Sequence, residues 1–118
     1  MRIRSLVIFI LAALAVTVAV AEEKYGVKVY DGAKYDAETS QFLITQIKVD
    51  GACYRTDATL AQVNDFYKKQ PGITEVPTDA TGGVFNKGNV KITIQTPWMN
   101  MKTGQQMKDT LISIVKTP

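Results

Sequence analysis

Residues 84–96 read Val84-Phe85-Asn86-Lys87-Gly88-Asn89-Val90-Lys91-Ile92-Thr93-Ile94-Gln95-Thr96. From Val90 onward the alternation is strict. Val90, Ile92 and Ile94 fall on one side and Lys91, Thr93 and Gln95 on the other. That is the pattern of a half-buried strand, because successive side chains of a strand point to opposite faces. Val84-Phe85 begins a partner strand, and Asn86-Lys87-Gly88-Asn89 supplies turn residues between the two. A β-hairpin is therefore expected here, with Pro97 ending its second strand.

Downstream, Asp109 to Thr117 closes the chain with Thr-Leu-Ile-Ser-Ile-Val-Lys. Its β-branched residues occupy both faces, as suits a more central strand. Upstream, Ala52 to Thr56 reads as a strand and Ile73 to Val76 as a brief one stopped by Pro77. Between them lies the clearest helix, in which Leu60, Val63 and Tyr67 recur at three and four and Phe66 widens the stripe. Asp57 reads as its cap. Asn64, Lys68 and Lys69 belong to its outer side, and Pro71-Gly72 terminates it. A second, weaker helix begins at Asp36, with Phe42, Leu43 and Ile47 as its apolar face and Asp50-Gly51 as its stop. Its β-branched residues Thr39, Ile44, Thr45 and Ile47 work against it. Val27 and Val29 alternate in a short extended piece before an Asp31-Gly32 turn. Gly82-Gly83 permits a tight loop. Strands follow helices instead of alternating with them. The expected fold is α+β, with one or two helices packed on one face of a mostly antiparallel four- to five-stranded sheet.

Residues 1–21 carry an address. Arg2 and Arg4 precede an apolar run from Leu6 to Val20, and Ala19-Val20-Ala21 gives small residues before Glu22-Glu23-Lys24. That order specifies a secretory signal peptide cut after Ala21. The run is too short for a spanning helix, which needs about 20 apolar residues. The expectation is a single domain, residues 22–118, in the periplasm or outside the cell, with no stable membrane anchor after cleavage. Arg2 and Arg4 leave with the leader, so the net charge falls from +3 to +1. No basic stripe with interleaved aromatics appears, so no nucleic-acid partner is expected.

The chemistry available is narrow. The chain has no His and one Cys, Cys53. Nucleophilic triads in their usual form, imidazole proton shuttles, C-x-x-C redox pairs and multi-thiolate metal sites are all excluded. No cofactor is called for, since no phosphate-cradling glycine motif is present. Cys53 reads as a buried strand residue. Arg55, two positions on and on the same face, leaves open a lowered thiol pKa, and an intermolecular disulfide is the other alternative. Asp31, Asp36 and Glu38 are the nearest thing to a paired-acid hydrolase site. They read more simply as a turn residue, a cap and a first-turn acid.

One cluster stands out. Met99, Met101 and Met107 follow Trp98 within a single connection. Thioethers are soft and adaptable, so an exposed group suits an apolar partner surface. The same softness suits Cu(I) or Ag(I), with Met99, Met101 and Met107 as candidate metal ligands. The plainer alternative is a lid over the core, and Trp98 falls on the side of Ile92 and Ile94 if alternation continues past Pro97. Tyr54 joins Trp98 and the methionines as a partner-binding candidate, on the expectation that it faces outward if Cys53 faces inward. The combined expectation is a small non-enzymatic exported protein that binds another exported or envelope protein. A Cu(I)/Ag(I) carrier is the alternative and a carboxylate hydrolase the remotest reading.

Three short stretches also resemble small exported bacterial proteins of no assigned activity. They are Tyr30-Asp-Gly-Ala33, Ala52-Cys-Tyr-Arg-Thr56 and Val63-Asn-Asp-Phe-Tyr-Lys68. Those proteins show Tyr-Pro-Gly-Ala at the first of these, where this chain has Asp31. The resemblance implies an exported single domain and no particular chemistry.

Overall fold

The computed structural model describes residues 22–78 and 82–118. The expected leader 1–21 lies outside the described residues, as does Asp79, whose residue type leads one to expect a turn there. The described residues begin with a small hairpin, β1 (Glu23–Lys24) and β2 (Val27–Lys28), and then form β3 (Lys34–Tyr35). Helix α1 (Ala37–Phe42) follows and runs into one π-helical turn (Leu43–Ile47). After these come β4 (Asp50–Thr56), helix α2 (Leu60–Lys68), β5 (Thr74–Glu75), β6 (Gly82–Lys87) and β7 (Val90–Gln95). A second small ribbon, β8 (Trp98–Met99) with β9 (Gln106–Met107), precedes the last strand, β10 (Thr110–Lys116). The fold is α+β.

The main sheet runs β3-β4-β10-β7-β6-β5, with every pair antiparallel. Four long strands form its body and two two-residue strands edge it, giving six. The β-branched final strand sits between β4 and β7, as its two-faced pattern requires. Gly88, at φ 60°, makes the two-residue turn between Lys87 and Val90. A Gly in the first central position is what such a hairpin turn favours.

Register explains the core. Ala52, Ile114, Ile92 and Phe85 stand in one row across the sheet, and Tyr54, Ile112 and Ile94 in the next. All are buried on the face covered by α2 and by the segment carrying Val27 and Val29. Helix α2 presents Val63 and Tyr67, both fully buried, with Leu60 and Phe66 beside them. Each such large side chain contributes about 1.5–3 kcal/mol on burial. Phe66 and Tyr67 meet edge to face at 4.9 Å, and the Tyr67 hydroxyl donates to the Lys28 carbonyl at 2.8 Å.

The helix begins differently from expectation. Thr59, not Asp57, is the N-cap. Its hydroxyl accepts from the Gln62 amide while Gln62 reaches back to the Thr59 amide. This is a capping box, and Asp57 stays exposed before it. Asn64 is not on the outer side either, because its Oδ1 is buried against Gly83. Gly82 and Gly83 are strand residues and not a loop. A Cβ on Gly82 would sit 2.6 Å from the Ile94 carbonyl oxygen, and one on Gly83 would sit 2.1 Å from Asn64 Oδ1.

The opposite face holds a smaller cluster. Cys53, Trp98 and Leu111 are buried there, with Leu43 and Met107 packed against them. Thus α2 covers one face, while α1 and its π-helical turn lie over the other, beside β4. The π-helical turn changes the spacing, so Leu43 packs inward while Ile47 is exposed, contrary to a shared Phe42–Leu43–Ile47 face. The stop is Lys48, at φ 64°, and Asp50-Gly51 already belongs to β4.

Candidate functional site

The β8–β9 ribbon is built on an anchored tryptophan. Pro97 has no amide hydrogen for the ladder, β7 ends at Gln95, and the chain leaves the sheet before Trp98. Alternation therefore does not carry through. Trp98 lies on the Cys53 and Leu111 face, not with Ile92 and Ile94, and is only 3% exposed. Its indole Nε1–H donates to Asp109 Oδ1 at 2.9 Å. The other carboxylate oxygen of Asp109 accepts from Arg55 Nε at 2.8 Å, and the Arg55 guanidinium stands 5.2 Å from the centre of the Trp98 ring. One carboxylate thus ties the indole, the β4 arginine and the start of β10 together. Nothing in sequence spacing marks these partners, which lie 11 and 54 residues apart.

Met107 pairs with Trp98 across the ribbon and Met99 pairs with Gln106. Cross-strand partners share a face, so Met107 turns inward with Trp98 while Met99 turns outward. Met99 and Met101 are 54% and 66% exposed. The three thioethers are not gathered on one face. The tip is wound on Asn100, whose Oδ1 accepts from the amides of Lys102 and Thr103 at 2.9 and 3.2 Å. Glu38 of α1 binds this tip twice, accepting from Asn100 Nδ2 at 3.3 Å and pairing with Lys102 Nζ at 3.4 Å. These donors hold the Glu38 carboxyl below its ordinary value.

The tie brings two exposed apolar pairs onto neighbouring elements. Ile44 and Ile47 come from the π-helical turn, and Met99 and Met101 from the ribbon. Among the described residues they account for every exposed large apolar side chain except Tyr35. The sequence offered the methionines as candidates. It hid Ile47, which the expected helix placed on its apolar face and which the π-helical turn leaves exposed.

Tyr54 is a correction. It is 2% exposed, as fully interior as its neighbour Cys53. Neighbours on a strand do point oppositely, but β4 is covered on both faces, so neither emerges. The Tyr54 hydroxyl donates to Glu22 Oε2 at 3.2 Å, and burial together with that carboxylate pushes its pKa up to about 12. Cys53 is fully buried. Its amide donates to Ser40 Oγ at 2.8 Å, and burial pushes its thiol pKa up despite Arg55 on the same face. A reactive or intermolecularly bonded thiol finds no support in that setting.

The acids also disperse. Asp31 lies in a turn, Asp36 accepts the Thr39 hydroxyl, and Glu38 serves the ribbon. Among the described residues no group of three or more His, Cys, Asp or Glu is placed to hold a metal ion. No helix among them is long and apolar enough to cross a membrane. No protein-family model, no curated protein and no solved structure matches the chain.

Proposed function

We propose that this is an exported, periplasmic, non-enzymatic binding protein that engages another exported or envelope protein. Its docking surface is formed by Ile44, Ile47, Met99 and Met101. The observation that carries this reading is that four of the five exposed large apolar side chains among the described residues come from two elements joined through Glu38. Surface apolar residues scattered singly need no explanation, whereas a grouped set marks an interaction site. Two of the four are methionines, which repack easily against a partner.

A photo-reactive amino acid placed at Met101 tests the proposal in living cells. One reproducible adduct is expected, lost when Ile47→Ser and Met99→Ser are combined. The same probe at Lys91, on the polar strand face, should give none. Adducts equal at both positions, or unaffected by the double substitution, would overturn it. No observation favours the Cu(I)/Ag(I) reading, because Met107 and Met99 face opposite ways. None favours a hydrolase built on Asp31, Asp36 and Glu38, because these lie in a turn, on the Thr39 hydroxyl and on the ribbon tip and are not brought together.

A further inference from the structure

A second surface, separate from the apolar one, lies where β3 meets β4. An open depression of about 330 Å³ is lined there by Lys34, Asp36, Arg55, Thr56, Asp57 and Asp109, among others. That volume is at the low end for small-molecule sites and fits one small ligand.

Its charges are arranged unusually. Lys34 lies directly opposite Arg55 in the β3–β4 register. Their Cβ atoms are therefore about 5 Å apart on one face, and like charges so placed repel. Among the described residues Lys34 has no ion pair or hydrogen-bond partner, and Arg55 is engaged only through Nε. The Asp109 bond and the Trp98 ring hold the guanidinium, leaving its two terminal nitrogens as a fork with no hydrogen-bond partner among the described residues. Such a fork matches a carboxylate geometrically.

The surrounding acids restrict the ligand further. Asp109 is already taken by Arg55 and Trp98. Asp57 and Asp36, the latter also accepting the Thr39 hydroxyl, line the wall, and both act electrostatically on Arg55. A simple anion would meet two carboxylates beside its cations. A simple cation would meet Lys34 and the Arg55 fork. A molecule carrying both charges close together satisfies both halves. We infer that this depression binds a free α-amino acid, its carboxylate on Arg55 and Lys34 and its ammonium toward Asp57 and Asp36. No covalent step is involved.

Trp98 is the chain's single tryptophan and stacks on Arg55, so its fluorescence reports occupancy. The probes are the twenty common α-amino acids, with acetate, methylammonium and inorganic phosphate as controls, each titrated to about 10 mM, which covers weak millimolar sites. Saturable quenching or enhancement is expected with at least one amino acid and with none of the controls. Lys34→Ala should weaken that binding at least tenfold, and Asp57→Asn should do the same. Both residues lie at the surface and leave the Asp109 anchor intact, and unchanged circular dichroism confirms the fold. The inference is overturned if no amino acid gives a saturable signal, if acetate or phosphate binds as well as the best amino acid, or if both variants bind as the parent does. The apolar docking surface shares no residue with this site, so either proposal can fail without the other.

Discussion

Asp109→Ala should destabilise the domain more than any other single change to an exposed or half-exposed polar residue. The carboxylate accepts from two donors in different environments. Arg55 has a side chain 35% exposed, and an ion pair so placed is screened, which limits its part to about 0.5–1 kcal/mol. The Trp98 indole is buried, and stranding its N–H without a partner costs roughly 1–3 kcal/mol. Together the loss is about 1.5–4 kcal/mol. For a domain of this size that lowers the melting temperature by roughly 6–32 °C, at 4–8 °C per kcal/mol. Arg55→Ala is the internal comparison. It leaves the Trp98–Asp109 bond in place, so it should cost only about 1 kcal/mol, including lost stacking on the indole. Urea unfolding followed by Trp98 fluorescence measures both, with a lower midpoint and an unchanged slope expected. An Asp109→Ala cost equal to or smaller than the Arg55→Ala cost would refute the idea that one carboxylate secures the ribbon through its tryptophan.

Gly82→Ala should cost about 1–3 kcal/mol as an overpacking change, because the new methyl meets a backbone carbonyl that has little freedom to move; a neutral effect in thermal unfolding would contradict the packing at the β6–β7 junction. Cys53 should resist a thiol reagent in the native protein and react at once in denaturant, given its burial and raised thiol pKa. Native-state labelling as fast as a free thiol would show that strand uncovered. Glu38 should titrate below its ordinary 4.5. A lowered folded pKa means its contribution is present above the unfolded value and disappears as pH falls through the folded one. Lys102 and Asn100 resonances should move with it in an NMR pH series, and a titration at or above 4.5 would argue that the tip is not tied to α1. Tyr54 carries the opposite sign. Its proton is held up to about 12, so stability is intact below pH 10 and is lost as pH rises from 10 toward 12. A phenolate absorbance titration with every tyrosine ionising near 10 would contradict this.

The sheet was legible because its strands carry their burial in their own sequence. Val90 to Gln95 alternates, and Thr110 to Lys116 is apolar on both sides, which placed the one at a half-covered position and the other at the centre. Helix α2 was legible for the same reason, through Leu60, Val63 and Tyr67. What failed depended on contacts distant in the chain. Tyr54 looked outward because alternation cannot tell whether the second face of a strand is covered. Trp98 changed sides because Pro97 takes the chain off the sheet, and a two-residue strand has no period to read. The outward turn of Ile47 came from a π-helical turn, which a 3.6-residue pattern cannot represent. Gly82 and Gly83 looked like loop residues, since the cause of their smallness is a carbonyl on β7 and an asparagine on α2. Of the candidate site, the exposed methionines were visible in the sequence as a cluster. The Asp109 anchor that aims them was not, because Arg55, Trp98 and Asp109 come from three separate elements.

The most direct measurement uses protein labelled at the methionine ε-methyl groups, observed by NMR while detergent-solubilised envelope proteins from the producing cells are added. Met99 and Met101 signals should shift or broaden together while Met107, turned inward beside Trp98, keeps its position. If all three stay unchanged, or if Met107 responds as strongly as the outer pair, the outward apolar surface is not where this protein meets its partner.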